Sequence, residues 1–161
     1  MTSLLHDIVQ ASVANHGLIV DELECDIDYA DTAAFNEKYG FTPDQSANTI
    51  IVSSKKVDPV KYAICVVLAS TRIDVNKKVT KLLKVKKASF AYSDVTRELT
   101  GMEIGGVTAV GIEEYPIYID AAVMEQPKVV MGGGNRTSKL VLAPAELLKL
   151  PNVTVIEALA V

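Results

Sequence analysis

Two cysteines, two histidines and no apolar stretch of membrane-spanning length set the first limits on this 161-residue chain. Cys25 and Cys65 share no C-x-x-C spacing, and Cys65 sits inside Ala63-Ile64-Cys65-Val66-Val67. Both therefore read as buried, reduced thiols, not as a disulfide framework. His6 and His16 lie off the spacing that puts two metal ligands on one helix face, and no third ligand stands near them, so no metal site is expected. No segment approaches the ~18 apolar residues a membrane span needs. Asp7 interrupts the first apolar stretch and no basic region precedes it, so no secretory leader is expected and the cytoplasm is the default compartment. A G-x-G-x-x-G fingerprint is missing too. Gly101, Gly105 and Gly106 do not fit it, and they follow a predicted helix instead of a strand, which argues against a dinucleotide site. No repeat, low-complexity tract or linker divides the chain, so residues 1–161 are expected to form one domain.

The residues present suit a packed domain. Apolar residues make up 49% and charged residues 22%, which excludes a disordered chain. The net charge of −4 is unevenly spread: Arg72–Lys87 holds seven cations against Asp74 alone, a segment of +6 in a remainder of −10. Such a chain can meet a nucleic acid locally but not over its whole surface.

Patterning predicts a mixed α/β fold. Residues 1–16 form an N-terminal amphipathic helix carrying Leu5, Ile8, Val9 and Val13 on one face, with Ser12 among them and Gly17 as the stop. Leu18–Ile27 reads as a strand. Asp31 caps a helix to Tyr39, ended by Gly40. Thr42-Pro43-Asp44-Gln45 has the capping-box pattern. Thr49–Val52 and Lys61–Ala69 are strands, the second almost wholly apolar and so central. Asp74 caps a helix to Leu83 that turns Lys77, Lys81 and Lys84 outward. Ala88–Phe90 is extended, and Ser93 or Asp94 caps a short helix ending at Gly101. Strands follow at Tyr115–Asp120, Lys128–Met131, Lys139–Leu142 and Val153–Ile156, with a short helix from Pro144 to Leu150. Helices and strands do not alternate regularly, so a curved, partly closed mixed sheet with flanking helices fits better than a doubly wound fold.

Two glycine segments stand out, Gly101–Gly111 and Gly132–Gly134. Residues without a side chain let a ligand approach the main chain, whose amides can hold a carbonyl oxygen or a phosphate. The same glycines also suit tight turns or bulges in a curved sheet.

The order of several segments tips this balance. Asp31–Gly40 is followed by Thr42-Pro43-Asp44-Gln45, Asn48-Thr49-Ile50-Ile51-Val52, the strand Tyr62–Ala69 and the helix Asp74–Leu83. Thr100-Gly101-Met102-Glu103-Ile104-Gly105-Gly106-Val107-Thr108-Ala109-Val110-Gly111 comes next. Gly132-Gly133-Gly134-Asn135-Arg136-Thr137-Ser138-Lys139 and Ala143-Pro144-Ala145-Glu146-Leu147 complete the series. From Asp31 to Ile156 the arrangement resembles the YbaK/prolyl-tRNA-synthetase-associated family.

That resemblance implies a mixed, barrel-like sheet and an aminoacyl-tRNA deacylase, which hydrolyses the ester joining a wrong amino acid to the tRNA 3′ end. It implies mischarged tRNA as partner, no metal or organic cofactor, and a positioned water in place of a serine or cysteine nucleophile. The glycine loop that positions the carbonyl and the water maps to Gly105, Gly106 and Thr108. Substrate-binding roles fall to Asn48, Gly101, Gly132, Gly133, Gly134, Arg136 and Lys139, the two cations as phosphate or carboxylate contacts. Lys77, Lys81 and Lys84 either touch the tRNA acceptor stem or form a solvated helix face. Two positions depart from the family pattern. Asn48 stands where a lysine usually holds the terminal adenosine, and Ala109 stands where the glycine loop usually ends in proline. A module that binds an aminoacyl-tRNA end, or a small aminoacyl compound, without hydrolysing it is the alternative, and a domain used only for protein contacts is a third.

Overall fold

A computed structural model describes residues 3–161. The first helix, α1 (Asp7–His16), starts later than its apolar pattern suggests. The Leu4 amide donates to Glu22 Oε1 (2.7 Å), which holds the preceding residues outside the helix, and His6 Nδ1 accepts from the Ile8 amide as the cap. Residues 1–2 of the expected helix lie outside the described residues. β1 (Asp21–Glu24) is shorter than expected, because Asp26 accepts from the Asp28 amide and turns Ile27–Tyr29 into a 3-10 segment.

α2 (Thr32–Tyr39) has Asp31 at its N-cap position and Gly40 in the left-handed conformation that ends it. Asp31 does not cap with its carboxylate, which lies 3.5 Å from the Arg136 guanidinium instead. In the next turn Gln45 accepts from the Thr42 amide at 2.9 Å, as the capping-box pattern predicts.

β2 (Ala47–Ser54) and β3 (Tyr62–Leu68) pair antiparallel along their length. The helix that follows opens with a π turn, Val75–Val79, before α3 (Thr80–Leu83). Asp74 caps it by accepting from the Lys77 amide. The Thr80 hydroxyl donates back to the Asn76 carbonyl, a local bond of the kind that distorts helices. β4 (Ala88–Phe90) leads to α4 (Ser93–Thr100), whose N-cap position is Tyr92 and not Ser93 or Asp94. β5 (Ile117–Asp120), the unexpected short α5 (Ala121–Met124), β6 (Val129–Gly132) and β7 (Ser138–Leu142) follow. Pro144–Lys149 is 3-10 rather than α, and β8 (Val153–Ile156) ends the series.

The strands form two sheets, a five-stranded one ordered β4-β2-β3-β5-β8 and a three-stranded one ordered β1-β7-β6. The larger sheet is mixed, since β3, β5 and β8 run parallel while β4, β2 and β3 alternate. No closed barrel forms among the described residues. Among the described residues one backbone bridge, Ser46 to Val130, links the two sheets, which pack across a shared core. β3 is buried on both faces, with Ile64 and Val66 in the core between the sheets and Cys65 and Val67 under the helix 75–83. That position accounts for its unbroken apolar run.

Candidate active site

β4 pairs only with Val52–Ser54, so the first half of β2 has a free edge facing β6 and the loop that follows α4. A cavity of about 260 Å³ lies along that edge. Its walls include Thr32, Asn48, Gly105, Val107, Gly132 and Lys139. Both glycine segments therefore border one hollow.

Their close approach explains the glycines. The Gly134 amide donates to the Gly106 carbonyl (2.7 Å), and the Glu103 amide donates to the Gly134 carbonyl (2.9 Å). A Cβ on Gly106 would run into the Asn135 backbone, and one on Gly132 into the Gly106 backbone. These two positions admit no side chain. The Gly106 amide donates to the Glu103 carbonyl, so it is not free for a ligand. Gly105 and Val107 line the cavity, and neither amide has a partner among the described residues.

Lys139 is the one charged side chain in the wall. It is 6% exposed and lies on β7 opposite Gly132. Its ammonium donates to the Ala30 carbonyl (2.5 Å) and the Gly105 carbonyl (3.2 Å), 5.3 Å from the centre of the Phe35 ring. Burial pushes its pKa below the usual lysine value, with Cys25 and Asp31 pulling the other way. Asn48 is held by the Thr32 hydroxyl, which donates to its Oδ1 at 2.7 Å. At the end of the loop the Ala109 amide donates to the Thr49 hydroxyl (3.0 Å). A proline at 109 has no amide hydrogen to make that bond.

Other predicted site residues sit elsewhere. Thr108 is 0% exposed, its hydroxyl has no partner among the described residues, and it is absent from the cavity wall. Arg136 does not face the cavity. It donates to the Ile104 and Ile27 carbonyls and so fastens the glycine loop to the segment before α2. Gly101 is the left-handed end of α4, and the Gly133 carbonyl accepts from the His6 amide. Lys77, Lys81 and Lys84 are exposed, and Lys84 leaves the helix in the left-handed conformation. Thr32 and the Val107 amide are wall elements that the sequence reading missed. Thr32 was hidden by its place directly after a helix cap.

Both thiols are buried and free. Burial raises the Cys25 pKa, offset in part by Lys139, and pushes Cys65 up to about 12. His6 caps α1 and His16 pairs with Glu113 at 2.6 Å. Among the described residues no three His, Cys, Asp or Glu side chains gather where an ion could bind, and no helix is long and apolar enough to cross a membrane.

The family model of the aminoacyl-tRNA editing domain matches residues 28–150, well over half of the chain and every wall of the cavity. The chain belongs to the aminoacyl-tRNA editing domain family. A curated relative in Enterococcus faecalis (strain ATCC 700802 / V583), named as a candidate Cys-tRNA(Pro)/Cys-tRNA(Cys) deacylase, EbsC, is 23% identical over 126 residues. The match spans 78% of this chain and 74% of that protein. The crystal structure of a candidate trans-editing enzyme for prolyl tRNA synthetase superposes on this editing domain with a TM-score of 0.79 and 25% identity, covering 98% of each chain. The structure of a hypothetical protein gives 0.82 at 22% identity, covering 94% of this chain and 98% of that one, a likeness in fold alone.

Proposed function

We propose that this editing domain hydrolyses the ester between a mischarged amino acid and the 3′-terminal ribose of tRNA. The observation that carries the proposal is the shared cavity, whose wall includes Gly105 and Val107, both with unpaired amides, and the buried Lys139, bonded to the Gly105 carbonyl. An aminoacyl ester is already activated, so a held water needs chiefly orientation and relief of the charge that develops on the carbonyl oxygen. The two amides supply that relief. Water oxygen bonds to the carbonyl carbon, the bond from that carbon to the ribose oxygen breaks, and the ribose oxygen takes a proton that the attacking water gives up.

Lys139 has a positioning role, because it fixes the Gly105 carbonyl and thereby the direction of the adjoining amides. Asn48 and Thr32 are suited to the ribose hydroxyls. Neither thiol suits nucleophilic attack, since burial keeps both protonated at neutral pH. Discrimination among amino acids rests on the size of the hollow, which is worth only ~1–3 kcal/mol per methylene.

A deacylation screen over a panel of mischarged tRNAs tests the reading, with the wild type and Asn48→Lys side by side. Hydrolysis of at least one charged species by either protein is the expected result, and hydrolysis of none by both overturns the deacylase. The second reading, a module that binds the aminoacyl end without turnover, is favoured by one feature. Asn48 brings no charge, and the ammonium of Lys139 already serves two protein carbonyls. Binding of an intact aminoacyl end without its release would select it.

A further inference from the structure

We infer that the edge strand β4 and the extended residues after it carry a stacking platform for the unpaired bases of an RNA 3′ end, formed by Phe90 and Tyr92 beside the cavity. The inference rests on the tRNA reading above and adds the surface on which the RNA lies. β4 pairs with β2 so that Phe90 faces Val52. The Ala91 amide donating to the Ile51 carbonyl (2.9 Å) extends that register and brings Tyr92 level with Ile50, a residue of the cavity wall. Tyr92 lies two residues past the end of β4 at the N-cap of α4, still extended (φ −65°, ψ 156°), so it and Phe90 fall on the same side of the chain, roughly 7 Å apart.

On that side the helix 75–83 covers Cys65, Val67 and Val52 and reaches Ala88 at the start of β4. Phe90 is 57% exposed and Tyr92 is 78% exposed. Two large aromatic rings in water two residues apart gain nothing for the core, whereas bases stack on such rings with little regard to sequence. The charge around them favours RNA over an apolar partner. Lys86 and Lys87 immediately precede β4, and the exposed Lys77 and Lys81 lie on the helix beside it, all within the +6 segment. An aminoacyl group in the cavity would be followed outward by a base on Tyr92, a base on Phe90 and phosphates toward Lys86 and Lys87.

The chain contains no tryptophan, so Tyr92→Trp makes a single emitter at the platform. The probe is an RNA hairpin with a short unpaired 3′ end, set against the same hairpin with a blunt end. The expected results are quenching of Tyr92→Trp by the first hairpin only, and binding weakened about five-fold or more in Tyr92→Ala and Phe90→Ala but retained in Tyr92→Phe. Lys86→Gln with Lys87→Gln should lower the salt dependence of binding, its logarithmic slope falling by about 1.4. For a tRNA species that the wild type deacylates, Tyr92→Ala should raise KM and spare kcat.

Wild-type affinity and KM in Tyr92→Ala overturn the inference. So does equal affinity for the two hairpins, which would give these aromatics to a protein partner instead. Selective binding of the unpaired end by a wild type that cleaves no ester supports the platform while the deacylase reading falls. Ester cleavage that is indifferent to Tyr92 does the reverse.

Discussion

The Lys139 ammonium donates to the carbonyl of Gly105, joining a buried cation on β7 to the loop that follows α4. Lys139→Met should leave the Gly105 and Ala30 carbonyls without a donor and destabilise the fold by about 1–3 kcal/mol. Deacylation should fall at least ten-fold through kcat. The pH dependence separates the charge from the packing. Burial lowers the folded pKa of Lys139, so the unfolded chain binds this proton more tightly. The contribution of Lys139 to stability should therefore rise with pH from its folded pKa up to the free-lysine value of about 10.4. Denaturant unfolding of the wild type and Lys139→Met at several pH values above 7 checks this, the variant lacking that rise.

The two glycine loops approach too closely for a methyl group. Gly106→Ala and Gly132→Ala each put Cβ against backbone that cannot swing aside, so each should cost about 2 kcal/mol or more and cripple the site. At Gly40 the added Cβ meets nothing, and only the left-handed backbone resists, so alanine there should cost about 1 kcal/mol. Thermal melts of the three variants, with deacylation of each, give the comparison.

Thr49 and Ala109 replace by hydrogen bonding the stiffness that a proline would bring to the loop end. Thr49→Val leaves a buried amide unpaired and should cost about 1–3 kcal/mol. Adding Ala109→Pro removes that amide hydrogen, so the double variant should recover part of the loss. Recovery is read from chemical denaturation of both single variants and the double variant.

Cys65 gives an alkaline limit. Its thiol stays neutral in the fold up to about 12, whereas a thiol open to water ionises at 9.0. The stability owed to the neutral thiol is intact below pH 9 and is lost as pH rises toward 12, at roughly 1.4 kcal/mol per pH unit. Cys65→Ala should flatten that decline in alkaline unfolding curves and lower stability at pH 7. A thiol reagent should leave Cys65 unmodified until the protein unfolds.

Asp120 ties the C-terminal residues to the sheet, its Oδ1 accepting from the Leu159 amide at 3.1 Å. Burial raises its pKa against the opposing pull of nearby amides. A carboxyl of this kind favours the fold when protonated, so its contribution falls as pH rises from the free-aspartate value of about 3.9 through the folded pKa. Asp120→Ala should remove that dependence and speed amide exchange at Leu159 by about ten-fold or more, as hydrogen exchange would show.

Much of this architecture was legible in the sequence, for definite reasons. The unbroken apolar run of β3 follows from burial on both faces, and the turn with Gln45 follows from local bonding alone. Asn48, Gly105, Gly132 and Lys139, far apart in the chain, line one cavity. What escaped depends on contacts distant in the chain. The start of α1 is set by Glu22, and Asp31 forsakes its cap for Arg136. Arg136 and Lys139 look alike as cations near three glycines, yet one braces a loop and the other lines the cavity. Thr108 has the chemistry of a site residue, but the backbone turns it into the interior.

The hollow takes its walls from five separate stretches, at positions 32, 47–50, 105 with 107, 132 and 139. No single helix, strand or loop contains it, and neither sheet alone encloses it. Occupancy by a ligand therefore reports the assembly of the entire fold: a substrate analogue should raise the melting temperature of the whole molecule as one cooperative transition, and two halves expressed separately should regain binding only when they reassociate.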